Sequence, residues 1–253
     1  MAYVGVNGLT AVVTGVSSGV GLAIARELTE DGATVVGCDL ADADGSREMA
    51  LIGAGYRHVD VAVEADVAAL IDDVVGQHGG LDIFVNNAAI QVTNTLADTT
   101  EAELDALIAV NLKGPFFGVK HAIRAMRETG GGSIVNISSV LGLVADGDLA
   151  AYGTTKSALL GLTRAAAVQY GPDGIRCNAI CPGDIDTPMV QEWLELSDDP
   201  QAARERVVAF YPLRRMADPR DVARLVVFLA GPSAAYISGQ AYVIDGGLLA
   251  KVY

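Results

Sequence analysis

The chain has 253 residues, of which 51% are hydrophobic, and carries a formal net charge of −14. This length and apolar content predict one domain over residues 1–253, since no low-complexity linker divides the chain. The acidic balance argues against nucleic acid as a partner, because phosphate binding needs a concentrated basic face. No apolar run reaches the roughly 18 to 20 residues that cross a bilayer, and Met1–Gly8 lacks a signal-peptide layout. We therefore expect a soluble, cytoplasmic protein with no membrane partner.

Cysteine and histidine are too few and too scattered to suggest a metal centre. An odd number of cysteines on predicted strands favours buried free thiols over a disulfide framework, and the histidines show no ligand spacing. We therefore predict no metal site. The residues concerned are Cys38, Cys177, Cys181, His58, His78 and His121.

Short apolar runs alternate along the chain with stretches of helical periodicity. This alternation predicts an α/β fold, a single doubly wound, Rossmann-like domain whose seven-stranded sheet is predominantly parallel and has helices on both faces. The predicted strands lie near residues 9–14, 34–38, 56–61, 82–86, 133–138, 175–181 and 240–244.

A glycine-rich turn joins the first strand to the first helix. The run Leu9–Thr14 leads into Gly15-Val16-Ser17-Ser18-Gly19-Val20-Gly21 and then into a helical pattern. Glycine allows a tight turn and close approach of the backbone, while the N–H groups that begin the helix attract an anion. Ser17 and Ser18 add hydroxyl donors. The turn is therefore a candidate pyrophosphate site, with an ordinary loop as the alternative.

Asp39 follows the second strand, 24 residues after Gly15. In a βαβ unit this is the position that binds a ribose. A carboxylate there accepts hydrogen bonds from the ribose hydroxyls and repels a 2′-phosphate. Neither Leu40 nor Ser18 supplies the cation that such a phosphate would need. We therefore expect NAD(H) rather than NADP(H), and the alternative is a carboxylate that caps the loop.

Tyr152 and Lys156 are four residues apart on a predicted helix, so both side chains share one face. A neighbouring ammonium is expected to lower the pKa of a phenol, which makes the pair able to move a proton. Ser139 ends the strand that precedes this helix and can reach the same site. The alternative is an exposed tyrosine beside a solvated lysine.

Six motifs in order resemble the short-chain dehydrogenase/reductase family, from about residue 7 to 248. They are Thr14-Gly15-x-x-x-Gly19-x-Gly21, Asn86-Asn87-Ala88-Ala89, Asn111, Ser139, Tyr152-x-x-x-Lys156 and Pro182-Gly183. The resemblance implies a nicotinamide cofactor and hydride transfer to or from an alcohol or carbonyl carbon.

The resemblance also implies a role for each catalytic residue. Tyr152 would be the acid/base, Ser139 would polarise the substrate oxygen, and Lys156 would bind the nicotinamide ribose. Asn111, in the helical stretch Glu101 to Arg127, would anchor a water that links Lys156 to solvent. The alternatives are that Ser139 caps a turn, Asn111 satisfies backbone groups and Lys156 is solvated.

The same family pattern supplies further cofactor contacts. Asp60 and Val61 would contact adenine, Ala89 replaces the family's usual glycine beside the adenosine ribose, and Ile185 and Thr187 would lie near the carboxamide. Alternatively, Asp186-Thr187 caps the helix that begins at Pro188. The complete implied set is Gly15, Ser17, Ser18, Gly19, Val20, Gly21, Asp39, Leu40, Asp60, Val61, Asn87, Ala88, Ala89, Tyr152, Lys156, Pro182, Gly183, Ile185 and Thr187.

Substrate contacts are expected at the carboxyl ends of the strands. We expect them from Gln91, Leu141, Val144, Met189 and Trp193, with Val92, Leu143, Tyr211 and Asp146 as further rim positions. This mostly apolar set predicts a compact or cyclic alcohol or ketone, unless half of it packs into the core. The segment near 188–213, above all Glu192 to Arg206, is expected to cover the pocket or to form a plain helix pair.

These observations predict an NAD-dependent alcohol dehydrogenase or carbonyl reductase. The alternatives are a ketoacyl-carrier-protein reductase, for which Lys120, Arg124 and Arg127 offer a basic strip, and a non-catalytic NAD(H)-sensing protein. An enoyl reductase is expected to have a wider tyrosine-to-lysine spacing. Apolar helices at 101–128 and 152–170 predict a homotetramer or homodimer, with residues 241–253 in a second contact.

Overall fold

A computed structural model describes residues 5–251. Residues 1–4, where no signal-peptide layout is expected, and residues 252–253, at the end of the expected second contact, lie outside the described part. Its sheet has seven strands in the order β3-β2-β1-β4-β5-β6-β7, and every neighbouring pair is parallel. This confirms the predicted sheet. The strands are β1 Thr10–Thr14, β2 Thr34–Asp39, β3 Gly55–His58, β4 Ile83–Asn86, β5 Gly132–Ile137, β6 Ile175–Pro182 and β7 Ala241–Ile244.

Helices connect the strands and cover both faces of the sheet. Over residues 5–251 the α-helices are α1 Gly19–Glu30, α2 Asp42–Leu51, α3 Glu64–His78, α4 Glu101–Ile108, α5 Gly114–Thr129, α6 Ala150–Tyr170, α7 Pro188–Glu195, α8 Pro200–Phe210 and α9 Pro219–Ala230. Short 3₁₀ turns span Val140–Gly142, Gly171–Asp173 and Pro232–Ala234.

Alternation along the strands divides the core into two layers. In β1, Val13 packs into the layer that contains α1 and α9, while Val12 packs into the layer that contains α3, α5 and α6. Successive strand side chains point to opposite faces, so a strand covered by helices on both sides is apolar throughout. All five residues of β1 are buried, as such a strand requires.

The strand order places a crevice at the carboxyl ends of β1 and β4. Strand β1 pairs with β2 on one side and with β4 on the other, so the chain reverses its direction of winding between them. Ligands of open α/β sheets bind at such a reversal. The glycine-rich turn after β1 and Asn87 after β4 both open into this crevice.

The helical stretch predicted from Glu101 to Arg127 is interrupted. A π-helical turn at Ala109–Lys113 separates α4 from α5, and the Gly114 N–H donates to the Ala109 carbonyl. Pro115 has no N–H, so the regular bond to the Asn111 carbonyl four residues earlier cannot form. The interruption therefore falls at Asn111.

The segment predicted as a cover forms a pair of helices, α7 and α8. Asp199 caps the second helix, because its carboxylate accepts from the Ala202 N–H at 3.0 Å. The pair has its own apolar cluster, which includes Leu194, Val207 and Tyr211. Among residues 5–251 we find no helix that is both long and apolar enough to span a bilayer.

Candidate active site

A cavity of about 760 Å³ lies in the crevice. It brings together most of the residues that the sequence predicts for cofactor and substrate. Those that line it are Gly15, Ser18, Gly19, Val20, Asp39, Leu40, Asp60, Val61, Asn87, Ala88, Ala89, Gln91, Ser139, Leu141, Val144, Asp146, Tyr152, Lys156, Pro182, Gly183, Ile185, Thr187, Met189, Trp193 and Tyr211. Ser17, Gly21, Asn111, Val92 and Leu143 are not among the lining residues.

The glycine-rich turn presents backbone donors to this cavity. Gly15 and Gly19 have φ angles of 75° and 55°, a region that favours glycine. Ser18 makes no side-chain capping bond to α1, and the first turn of α1 has no acidic residue. The uncapped N–H groups at this helix end fit a pyrophosphate.

Gly21 and Ser17, two predicted residues that do not line the cavity, support the glycine-rich turn. A Cβ atom at Gly21 would lie 1.9 Å from the Gly15 carbonyl oxygen, so only glycine allows α1 to pack against the turn. The Ser17 N–H donates to Asp39 Oδ2 at 2.9 Å. Their predicted direct contact with the cofactor stays a prediction, and the structure shows a supporting role for each.

The ends of β1 and β4 are clamped together beside the turn. The Thr14 hydroxyl oxygen accepts from the Asn87 and Ala88 N–H groups, each at 3.0 Å. The Asn87 amide donates in turn to the Thr14 and Gly15 carbonyls at 2.9 and 3.0 Å. Ala89 follows with a negative φ, so alanine replaces glycine there without backbone strain.

Asp39 ends β2 with its carboxylate held by backbone donors. Oδ2 accepts from Ser17, while Oδ1 accepts from the Leu40 N–H at 2.7 Å and the Ala41 N–H at 3.4 Å. Asp39 therefore caps the loop and also lines the cavity, and its contact with a ribose stays a prediction. An oriented carboxylate at this position fits the two hydroxyls of a ribose.

The catalytic candidates meet where the end of β5 packs against α6. The Ser138 hydroxyl donates to the Lys156 carbonyl at 2.8 Å, and the Lys156 ammonium donates to the Ile137 carbonyl at 3.0 Å. A Cβ atom at Gly142 would lie 2.7 Å from the Ser138 hydroxyl oxygen. Close packing of the 3₁₀ turn on α6 therefore fixes Ser139, Tyr152 and Lys156 on one wall.

Ser139 combines two roles in this wall. Its hydroxyl oxygen caps the 3₁₀ turn by accepting from the Leu141 N–H at 3.1 Å, and a hydrogen bond links Ser139 to the Tyr152 side chain. The cap fixes the serine and the second bond aligns it with the phenol. The turn-capping alternative is thus part of the site and does not replace it.

Lys156 is not solvated, because only 3% of its surface is exposed. Its ammonium lies 5.5 Å from the centroid of the Tyr152 ring. Burial lowers the pKa of Lys156 from 10.5 to about 8. Burial therefore destabilises the charged form of this lysine, and its ammonium donates to the Ile137 carbonyl beside the phenol.

The pKa of Tyr152 departs from the expectation. The sequence predicts a pKa lowered by Lys156, but burial raises it from 10.0 to about 12. The hydrogen bond with Ser139 lowers this pKa, and the charge of Asp184 raises it further. The protein's own groups therefore keep the phenol protonated at neutral pH, because the ammonium is directed at the Ile137 carbonyl.

Asn111 is fully buried in the π-helical turn, next to the wall that carries Lys156. Its side chain accepts from the Ile90 N–H at 2.9 Å and donates to the Ile90 carbonyl at 2.8 Å and to Thr155 Oγ1 at 3.3 Å. Both amide donors are thus used by protein groups. The side chain holds the Ile90 loop, and the backbone carbonyl is the part of Asn111 that Pro115 leaves without its regular helix partner.

The segment after β6 is fixed from two sides. Asp186 N–H donates to the Ala217 carbonyl at 2.9 Å, and the Asp186 carboxylate pairs with both terminal nitrogens of Arg204 on α8. Thr187 occupies the N-cap position of α7. The predicted cap is therefore confirmed in position, since α7 begins at Pro188, but Thr187 makes no side-chain capping bond.

Sequence reasoning missed several residues at the substrate end of the cavity. Phe210, Leu248 and Leu249 contribute apolar surface, and Asp184 contributes a carboxylate. The hydroxyl of Tyr211 donates to Asp184 Oδ2 and accepts from the Asp184 N–H, both at 2.7 Å. Tyr211 therefore positions Asp184 while lining the cavity.

Metal ligands are not part of the described site. Within residues 5–251, no group of three or more histidine, cysteine, aspartate or glutamate side chains has the arrangement of a metal site. Cys38, Cys177 and Cys181 are all buried free cysteines.

Comparisons with known proteins identify the family. The family model described as enoyl-(acyl carrier protein) reductase matches residues 15–249. A cis-4-hydroxycyclohexanecarboxylate dehydrogenase of Sinomonas cyclohexanicum is 40% identical over 95% of this chain and 96% of the relative. The chain belongs to the short-chain dehydrogenase/reductase family.

Two further members of the family resemble the chain over nearly its whole length. A 3-alpha-(or 20-beta)-hydroxysteroid dehydrogenase of Mycobacterium bovis is 38% identical over 96% of this chain and 90% of the relative. The ligand-free aldohexose dehydrogenase of Thermoplasma acidophilum superposes with a TM-score of 0.91 at 33% identity, covering 98% of this chain and 96% of that structure. This short-chain dehydrogenase/reductase is therefore an alcohol-type oxidoreductase that works with a nicotinamide cofactor.

Proposed function

We propose that the protein is an NAD-dependent dehydrogenase/reductase that interconverts a compact, mostly apolar secondary alcohol and its ketone. The convergence of Ser139, Tyr152 and Lys156 on one wall of the cavity carries this proposal. Asp39 lines the other end of the same cavity, where it supports binding of an adenosine ribose.

The surroundings of Asp39 support NAD(H) over NADP(H). Arg47 is the nearby arginine on α2, and it pairs with Asp44 at 3.4 Å and Glu48 at 3.2 Å. His58 pairs with Asp42 at 2.7 Å. The Arg47 charge is thus matched by carboxylates, and a 2′-phosphate would meet repulsion at Asp39.

The chain's own residues supply proton transfer and orientation. When bound, the nicotinamide accepts or donates the hydride. Tyr152 holds the proton on its phenol oxygen and exchanges it with the substrate oxygen. Ser139 donates a hydrogen bond that orients the same oxygen, and Lys156 holds a positive charge behind the phenol.

The two pKa shifts indicate the protonation state from which each residue starts. A phenol whose pKa is raised to about 12 is protonated at neutral pH, so Tyr152 carries the proton that ketone reduction consumes. In the opposite direction Tyr152 has to release that proton, and the nearby Lys156 charge favours the phenolate. The Asn111 carbonyl, left without its helix partner, supports a water-linked route from Lys156 to solvent.

The alternative functions receive less support from the site. Two members of the basic strip are paired with carboxylates, Lys120 with Glu64 and Arg127 with Asp173, which weakens a docking site for an acidic carrier protein. A sensing protein without catalysis would have no use for the aligned Tyr152 and Lys156. The four-residue spacing of this pair also argues against the enoyl reduction named by the family model.

The substrate class follows from the walls of the cavity. Leu141, Val144, Met189 and Trp193 line it with apolar surface, which fits a compact or cyclic alcohol. Two of the relatives are named for ring alcohols, one for a hydroxycyclohexanecarboxylate and the other for hydroxysteroids, which supports a ring alcohol here. The buried free cysteines support a reducing compartment, which we take to be the cytoplasm.

A kinetic experiment tests this proposal. Purified protein is assayed at 340 nm with a panel of cyclic secondary alcohols and NAD, then with NADP. We expect turnover with NAD and a preference over NADP of roughly 100-fold in kcat/KM, because charge repulsion at Asp39 costs several kcal/mol. Tyr152→Phe should lower kcat by about 10² to 10⁴ while NADH binding, measured by fluorescence, stays within a few-fold of wild type.

The matched control is Tyr236→Phe, which removes a hydroxyl from a fully exposed tyrosine outside the cavity. It should leave both kcat and NADH binding unchanged. Wild-type turnover by Tyr152→Phe would refute the assignment of Tyr152. Loss of NADH binding in that variant would show that the phenol supports cofactor binding and would leave the proton-transfer role without support.

A further inference from the structure

Asp184 is an acidic side chain within an otherwise apolar part of the cavity. It follows Pro182-Gly183 at the end of β6 and lines the cavity together with Tyr152, Met189 and Trp193. Its charge acts on the Tyr152 phenol, which shows that the carboxylate lies close to the reacting end of the site. Its position therefore makes it a candidate for contact with the substrate.

Tyr211 holds Asp184 with one carboxylate oxygen engaged. The Tyr211 hydroxyl donates to Oδ2 and also accepts from the Asp184 N–H, both at 2.7 Å. Within residues 5–251, no protein donor bonds to Oδ1 of Asp184. A carboxylate fixed through one oxygen leaves the other able to accept from a ligand.

Among residues 5–251, the lining of the cavity offers no free cation that could neutralise Asp184. Lys156 is its only lysine or arginine among the described lining residues, and its ammonium is bonded to the Ile137 carbonyl. Burial raises the pKa of Asp184, and Asp146 at the exposed rim adds a second negative charge that raises this pKa further. A substrate therefore meets negative charge at the end where its reacting oxygen binds.

We propose that Asp184 selects alcohols that carry a second hydrogen-bond donor, namely diols and amino alcohols, and disfavours hydroxy acids. This inference rests on the proposed dehydrogenase function, because it names the substrate class of that same site. A hydroxyl or ammonium on the ring can donate to Oδ1, which replaces the water lost on burial. A carboxylate on the ring would face two like charges in a partly buried cavity.

The test compares matched cyclohexane compounds. Cyclohexanol, the cyclohexanediols, the aminocyclohexanols and the hydroxycyclohexanecarboxylates are assayed with NAD, each with the second group at the 2, 3 and 4 positions. We expect kcat/KM for the best diol or amino alcohol to exceed that for the matching hydroxy acid by at least about tenfold. Comparison of the diols with the amino alcohols shows whether Asp184 prefers a neutral hydroxyl donor or a charged ammonium.

Asp184→Asn keeps the shape of the side chain and an acceptor for Tyr211 but removes the charge. In this variant kcat/KM for the best diol or amino alcohol and kcat/KM for the matching hydroxy acid should differ by no more than about threefold, since the repulsion is gone. Asp148→Asn is the matched control, because Asp148 is an exposed residue of the neighbouring loop that does not line the cavity. The ratio of these two values in Asp148→Asn should equal that of wild type.

A binding experiment separates failure of this inference from failure of the proposed function. The same compounds are titrated calorimetrically into wild type and Asp184→Asn in the presence of NADH. Absence of turnover with every alcohol would contradict the dehydrogenase function, while the ranking of binding constants would still decide the role of Asp184. Equal or tighter binding of hydroxy acids by wild type, or an unchanged ranking in Asp184→Asn, would overturn the inference.

Discussion

Lys156 places an ammonium group in the protein interior with the Ile137 carbonyl as its hydrogen-bond partner. Burial disfavours the charged form, so the folded protein loses this proton near pH 8, whereas an unfolded chain keeps it up to about 10.5. The positive charge of Lys156 behind the Tyr152 phenol therefore lowers the stability of the folded protein.

The pH dependence of stability measures this cost. Between about pH 8 and 10.5 the unfolded chain binds more protons at Lys156 than the folded chain, so the contribution of Lys156 to stability rises with pH. We expect the free energy of unfolding of wild type, relative to Lys156→Met, to increase by about 3 kcal/mol over this window. Urea unfolding followed by circular dichroism at each pH gives this difference.

Lys113→Met is the control for this experiment, since Lys113 is exposed at the end of the π-helical turn. It removes one lysine from a solvated position, so any pH dependence that the two variants do not share belongs to the buried ammonium. The same pH dependence in both variants would contradict a free-energy cost at Lys156.

Residue positions follow from the sequence where chemistry and chain position coincide. Asp39, Ser139, Tyr152 and Lys156 each follow a strand or share a helix face, and the structure brings them to one cavity, while their roles stay predictions. Asp184 and Asp186 are two residues apart, and the sequence does not show that one contacts Tyr211 while the other pairs with Arg204. That distinction depends on side chains from α8 and the loop after it, far along the chain.

The boundaries of the strands follow closely from the sequence because βα units alternate with short turns. The π-helical turn at Ala109–Lys113 does not follow in the same way. Pro115 indicates that a hydrogen bond is missing, but not that the helix continues through a wider turn. Likewise, Asp245 accepts from the Gly247 and Leu249 N–H groups, which turns the chain so that Leu248 and Leu249 reach the cavity.

The helix α8 is joined to the segment after β6 by one side-chain pair. Arg204 binds Asp186 through two nitrogens, one contact being 3.1 Å, and Gln191 adds a bond to Asp186 at 3.3 Å. This pairing lowers the pKa of Asp186. The proposed cover is therefore attached to the residues expected to lie against the nicotinamide.

Removal of this attachment should loosen the cover. We expect Arg204→Gln to raise the KM for NAD up to about fivefold with a smaller effect on kcat, because a half-exposed ion pair contributes at most about 1 kcal/mol. Steady-state kinetics at low and high salt test this, and the difference from wild type should shrink at high salt.

Arg206→Gln provides a control on the same helix, since Arg206 is exposed and lies outside the cavity lining. Its kinetics should match wild type. A double-mutant cycle with Asp186→Asn then isolates the pair, and additive effects of the two substitutions would contradict a direct role for the Arg204–Asp186 bond.

At the scale of the whole molecule, apolar surface remains on the helices that the sequence predicts for self-association. Phe116 on α5 is 53% exposed, and Leu104 on α4 and Val168 on α6 are also exposed. A stable assembly would remove such side chains from water, since burial of a large apolar group is favourable. We therefore propose a homotetramer or homodimer that uses α4, α5 and α6.

Light scattering after size exclusion tests this assembly. We expect wild type to elute as a dimer or tetramer at micromolar concentration, and Phe116→Asp to fall to about half that mass or less, because a charge in an apolar interface stays unpaired. Leu51→Asp is the matched control, because Leu51 is 73% exposed but lies on α2. The mass of this variant in solution should equal that of wild type. A monomeric wild type, or an equal loss of mass in both variants, would rule out α5 as the contact.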